Sequence, residues 1–206
     1  MCCFLPAIQE STSLKELDID FPLIRGLSNL ALENMLTHTQ SLRSLSLILS
    51  WPAGLLSEDR AVAAAQSGLK KNTTLRELTL EFPGDASKIS PILTSLCNHP
   101  LLRRLCLRGN GVNLTGLETL LLSVNSQITE LDIHRSYGSL PMTGLTPVLR
   151  ALARYPALTK LRLHRCDLGR DEARLLRMGL YNNPSFTSLC LASNGLRSPE
   201  LEELDT

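Results

Sequence analysis

In HPLLRRLCLRGNGV, residues 99–112, the apolar positions are Leu102, Leu105, Leu107 and Val112, with asparagine at 110. That spacing is neither the 3.6 period of a helix nor the plain alternation of a strand. The kernel L-x-x-L-x-L recurs along the whole chain. It reads LKELDI from Leu14, LRSLSL from Leu42, LRELTL from Leu75, LRRLCL from Leu102, ITELDI from Ile128, LTKLRL from Leu158 and FTSLCL from Phe186. The steps between starts are 28, 33, 27, 26, 30 and 28 residues. Seven copies at so regular a spacing mark a repeat architecture.

Between the copies the period changes from 2 to 3.6. Leu117, Leu120, Leu121 and Val124 form one helical stripe, and Leu145, Val148, Leu149 and Leu152 another. Ile92, Leu93, Leu96 and Cys97 form a third, and Val62, Ala65 and Leu69 a thinner one. Thr115 with Glu118 has the spacing of a capping box. Ser90-Pro91 and Ser198-Pro199 fit an N-cap followed by proline at the first helical position. Each unit therefore reads as strand, loop and helix. One such unit cannot bury enough apolar surface to order its own backbone, so neighbours must stack.

These seven kernels resemble the leucine-rich repeat family, and their period resembles its longer, ribonuclease-inhibitor-like class. The resemblance implies an α/β fold: a curved right-handed solenoid, a horseshoe segment, with a parallel sheet of about seven strands on the concave face and helices on the convex face. Parallel strands lie ~4.8 Å apart while packed helices need ~8–10 Å, so such an array bends toward its sheet, whose six gaps span about 29 Å. One domain covers residues 1–206, with a partial repeat over 1–13, repeats starting near 14, 42, 75, 102, 128, 158 and 186, and an incomplete last repeat. Leu5 and Ile8 read as the end of a helix, and both chain ends cut through a unit, either because short end helices suffice as lids or because this is one segment of a longer chain. Asn110, Cys166 and Asn194 match the family's Asn or Cys at the ninth position, which there satisfies loop backbone groups. Pro22, Ser50, Pro83 and Ser136 depart from it, which predicts irregular loops in FPLIRG, SWPAG, EFPGDAS and RSYGSLPM.

Composition narrows the functional classes. Lys plus Arg number 21 against 20 Asp plus Glu, a net charge of +1, which provides no overall electrostatic footprint for nucleic acid or an anionic membrane. No apolar run approaches the ~20 residues that span a bilayer. MCCFLPAIQE reads poorly as a signal peptide. Six scattered cysteines, without CxxC or zinc-ligand spacing, read as reduced thiols and small core fillers of a cytoplasmic protein. The sequons at Asn72 and Asn113 are weak signs of secretion. No phosphate-binding loop, G-x-S-x-G, H-E-x-x-H or calcium-loop motif is present, so neither catalysis, a cofactor nor a small-molecule substrate is expected.

Alternation along each strand sends three residues per unit to the exposed sheet face. From the third unit to the sixth they alternate in sign: Glu77, Thr79, Glu81; Arg104, Cys106, Arg108; Glu130, Asp132, His134; Lys160, Arg162, His164. Stacking predicts lateral rows Glu77-Arg104-Glu130-Lys160 and Glu81-Arg108-His134-His164, with Asp132 approaching Arg162. Such rows neutralise themselves and keep an exposed sheet soluble. They also form a surface that selects a protein partner by charge complementarity, because weak lateral pairs exchange readily for intermolecular ones. The candidate partner-binding residues are Glu77, Glu81, Arg104, Arg108, Asp132, His134, Lys160, Arg162 and His164. Trp51, the only tryptophan, is a candidate loop anchor. His134, His164 and Asp132 lack the further ligands a metal site needs. The reading is a non-enzymatic protein-interaction module; in the resembling family such arrays serve immune-type receptors and ubiquitin-ligase adaptors. A rival reading is a regulator resembling the Ran-type GTPase activators, which GTP hydrolysis assays with candidate small GTPases would distinguish.

Overall fold

Strand and helix alternate from end to end in the computed structural model, which describes residues 4–20, 29–49, 57–85, 89–110, 114–136, 144–197, 200 and 204. The elements are α1 (Phe4–Glu10), β1 (Glu16–Asp20), α2 (Asn29–His38), β2 (Ser44–Ile48), α3 (Ser57–Lys71), β3 (Glu77–Asp85) and α4 (Ile89–Ser95). They continue as β4 (Arg104–Asn110), α5 (Thr115–Leu122), β5 (Glu130–Arg135), α6 (Leu145–Leu152), β6 (Lys160–His164), α7 (Arg170–Asn182) and β7 (Ser188–Cys190). The seven strands form one parallel sheet in chain order, β1 to β7. Consecutive strands pair at equivalent positions, so that Leu45, Leu78, Leu105, Leu131 and Leu161 line up, as do Leu47, Leu80, Leu107, Ile133 and Leu163. These are the fourth and sixth residues of each kernel.

Both leucine rows are buried and share one core with the helix stripes. Leu69, Leu93, Leu117 and Leu149 meet them from the helix side, each fully buried. Ile8 of α1 belongs to the same core. The expected stripes hold except at their ends. Val124 is fully exposed, because α5 stops at Leu122 and the next residues turn away. Cys97 is only half-buried.

Two helix starts differ from expectation. Leu114, not Thr115, occupies the N-cap of α5, without a side-chain cap bond, so Thr115 is already helical and its pairing with Glu118 is not a capping box. Helix α4 begins at Ile89, which places Ser90 and Pro91 inside the first turn, where proline is tolerated because its missing N–H has no helical acceptor. Ser198 and Pro199 lie outside the described residues. A cap the sequence reading overlooked closes α7: Glu172 accepts the Gly169 N–H and also the Thr146 hydroxyl from α6, at 3.2 and 3.0 Å.

Asn194 performs the expected ninth-position role. Its side-chain oxygen accepts the Cys166 N–H at 2.6 Å, and its amide donates to the Leu163 and Leu191 carbonyls at 2.7 and 2.9 Å. Cys166 contacts the His164 carbonyl through its thiol at 3.4 Å. Residue 110 ends β4, and its side chain, like Val112 and the stretches after β1 and β2, lies outside the described residues. In the third unit the departure from the pattern is visible: the β3–β4 register slips between Phe82 and Asp85, a bulge at Pro83-Gly84.

The opposite turn, from helix back into strand, is built from buried polar side chains. The Asn72 amide donates to the Leu36 carbonyl of the preceding unit at 2.7 Å, and its oxygen accepts the Thr74 and Leu75 N–H groups at 3.0 Å. His99 does the same with its ring: Nδ1 accepts the Leu102 N–H at 3.1 Å, and Nε2 lies 3.3 Å from the Asn72 oxygen. Tyr155 donates to the Ile128 carbonyl at 2.8 Å, and Asn183 donates to the Leu158 carbonyl at 2.8 Å. These groups satisfy backbone atoms that the tight turn would otherwise leave buried and unpaired. Asn72, 2% exposed and fully engaged, is therefore not a glycosylation acceptor in the folded chain.

Candidate protein-interaction face

Parallel pairing in register gives every strand position a lateral row. The row of third kernel residues runs Glu16, Ser44, Glu77, Arg104, Glu130, Lys160, Ser188, and the next exposed row runs Asp18, Ser46, Thr79, Cys106, Asp132, Arg162, Cys190. The last runs Asp20, Ile48, Glu81, Arg108, His134, His164. All nine residues expected on the exposed face stand together on the side of β3–β6 turned away from the core. Trp51 lies outside the described residues.

Charge in the first row is shared rather than paired off. Arg104 reaches Glu77 at 3.8 Å on one side and Glu130 at 4.0 Å on the other, and Glu130 also accepts a 2.7 Å bond from Lys160. The Lys160 hydrogen bond and its charge, with smaller help from Arg104 and Arg162, hold the Glu130 carboxyl below its ordinary range against a partial desolvation. Asp132 stands opposite Arg162 in register. The described residues place no Asp132–Arg162 pair within 4 Å, so this expected approach stops short of an ion pair. Surface pairs of this kind contribute ~0–1 kcal/mol each. Replacing Glu130 with Gln is accordingly expected to lower stability by no more than about 1 kcal/mol in urea denaturation at physiological salt. A larger loss would make the row a structural device.

One expected feature of the face is corrected. Cys106 points to this side but is 3% exposed, covered among Thr79, Arg108 and Asp132, and out of a partner's reach. Burial first, and the Asp132 charge second, push its thiol up from the ordinary cysteine range. Cys166, in the core, is pushed up to about 12 by burial. Cys97, Cys106, Cys166 and Cys190 are all free thiols. His134 and His164 stack obliquely with ring centroids 5.5 Å apart. Burial, then the neighbouring His164, Arg165 and Arg108 charges, hold His134 below the usual histidine range, while Asp132 pulls the other way. Cys190 adds its sulfur 3.7 Å from His164 Nε2.

The sequence matches no model of a known protein family and no curated protein. The face must therefore be read from its own chemistry. Among the described residues no group of three or more His, Cys, Asp or Glu side chains is placed to hold a metal ion. No described helix is long and apolar enough to cross a membrane. What the face presents is a broad polar surface with weakly held charges of both signs, suited to contact another polar surface.

The sequence reading passed over one row. The second residue of each kernel, just before the strand, is Lys15, Arg43, Arg76, Arg103, Thr129, Thr159 and Thr187. The repeat alignment holds the signal, four cations in consecutive units, but attention to strand alternation stops one residue short of it.

Proposed function

We propose that this chain is a leucine-rich-repeat solenoid of the ribonuclease-inhibitor-like class, right-handed and curved with its sheet inside, and that it is a non-enzymatic protein-recognition module. The observation that carries this reading is the in-register charge rows of β3–β6, whose ion pairs are shared, solvent-exposed and open to exchange. Seven like units in one parallel sheet support the repeat class. A broad surface of mixed sign favours a protein partner, because complementary charges fix register and exclude wrong partners. The partner-contacting set is Glu77, Glu81, Arg104, Arg108, Asp132, His134, Lys160, Arg162 and His164.

Arg104→Glu combined with Arg108→Glu tests it. Both side chains reach solvent, so the variant is expected to fold, with a native circular dichroism spectrum. It is expected to lose its specific partners at least tenfold in quantitative proximity labelling beside the wild type. Equal labelling by the folded variant removes the face from the account.

A further inference from the structure

The N-terminal rim of the sheet carries its own row of cations. Each residue just before a strand donates its backbone N–H to the equivalent carbonyl of the previous unit: Arg43 to Lys15 at 2.8 Å, Arg76 to Arg43 at 2.7 Å, Arg103 to Arg76 at 2.8 Å and Thr129 to Arg103 at 2.8 Å. Those bonds make Lys15, Arg43, Arg76 and Arg103 immediate lateral neighbours, one strand spacing of ~4.8 Å apart. Four cationic side chains therefore leave neighbouring backbone positions on one rim. Arg43 turns its guanidinium onto the Gln40, Leu42 and Thr74 carbonyls, which leaves its charge unneutralised. Among the described residues no carboxylate lies within 4 Å of Lys15, Arg76 or Arg103.

A groove of about 410 Å³ opens beside this row. Arg76 and Arg103 line it from this row, Glu77, Arg104, Glu130 and Lys160 from the adjoining exposed row, and Arg162 from the row beyond. The two carboxylates are engaged by Arg104 and Lys160. Among the described residues Arg76, Arg103 and Arg162 have no carboxylate within 4 Å, although the Arg162 charge acts on Glu130 from farther away. A guanidinium presents a planar fork of donors that fits a carboxylate in two parallel hydrogen bonds.

We infer that this rim is a docking site for an acidic peptide segment of a partner protein, whose Asp or Glu carboxylates seat on Arg76, Arg103 and Arg162. The inference rests on the protein-recognition reading and names the chemistry of one partner segment. A polynucleotide is the poorer fit. Among the described residues no aromatic side chain on which a base could stack lines the groove, and Glu77 and Glu130 interrupt any continuous track for phosphates. A peptide can place its carboxylates on the arginines and its neutral residues over the glutamates.

The test is fluorescence anisotropy on the full chain with a labelled ten-residue peptide rich in Asp and Glu, at low salt. The wild type is expected to bind it, with affinity falling steeply as salt rises. Arg76→Glu with Arg103→Glu is expected to weaken binding at least tenfold. The same charge change on the helix side, Arg150→Glu with Arg154→Glu, is expected to weaken it no more than twofold. Arg76→Ala with Arg103→Ala serves if the reversal perturbs folding. No peptide binding, equal losses in the two double variants, or tighter binding of a single-stranded oligonucleotide of equal charge would each overturn the inference. Partner capture through Arg104 and Arg108 is measured without this peptide, so either result can fail while the other stands.

Discussion

Replacing His99 with Asn should remove a large part of the acid sensitivity of the fold. His99 is 5% exposed, and its Nδ1 accepts the Leu101 and Leu102 N–H groups, so the ring proton sits on Nε2 and points to the Asn72 oxygen. An imidazolium would set an N–H against two N–H donors in a place with no compensating acid. Burial accordingly lowers its pKa from 6.5 to about 4. Below pH 6.5 the unfolded chain takes up a proton that the folded chain refuses. Stability is therefore fully present above that pH, declines as the pH falls, and levels off below about 4. The expected loss from this one group is on the order of 3 kcal/mol. Asn72 and Asn183 show that an amide oxygen can close the same turn, accepting the N–H groups two or three residues ahead. His99→Asn should thus keep the neutral-pH stability within about 1–2 kcal/mol while flattening the slope between pH 6.5 and 4 relative to the wild type. His99→Ala, which leaves both N–H groups unpaired, should cost about 2–4 kcal/mol at any pH. Urea denaturation at several pH values measures both, and an unchanged slope in His99→Asn would mean that the acid sensitivity arises elsewhere.

The second large effect is expected at Gly109, near the end of β4. Its backbone is at φ 148°, and a Cβ there would lie 2.2 Å from the Phe82 carbonyl oxygen and 3.0 Å from the Phe82 carbonyl carbon. Neither atom can give way, because Phe82 is 2% exposed in the core and starts the bulge that sets β3 against β4. Gly109→Ala should cost at least about 3 kcal/mol, from backbone strain together with the forced separation of the two strands. Gly195 provides the contrast. It also has positive φ, 64°, but a Cβ would meet nothing within 4 Å. Gly195→Ala should therefore cost only the conformational term, about 1–2 kcal/mol. Denaturation midpoints of the two variants separate strain from collision; equal shifts would show that the Phe82 contact yields.

The two cases mark where sequence reading reaches its limit. The helix-to-strand turn has no constant residue: Asn72, His99, Tyr155 and Asn183 stand three residues before their kernels and satisfy different backbone atoms through different chemistries, while Asn125 at the same site bonds the Asn98 side chain instead. A pattern search keyed to residue type passes over such a column. Gly109 precedes the family-like asparagine, where the repeat alone gives no reason for glycine; the reason is the Phe82 carbonyl one strand away.

By itself the sequence determined the parts that depend on period. Alternation within each kernel settles which side chains leave the core, and a near-constant repeat length brings equivalent positions into line, so the charge rows of β3–β6 follow from counting. Only the tertiary structure decided distance and burial: that Cys106 is sealed beneath its neighbours, that Asp132 and Arg162 stop short of pairing, that Val124 escapes the core, and that four arginines share one groove. The physical reason is that a period assigns direction to a side chain, whereas exposure, charge pairing and hydrogen bonding depend on the atoms a neighbouring unit brings within a few ångströms.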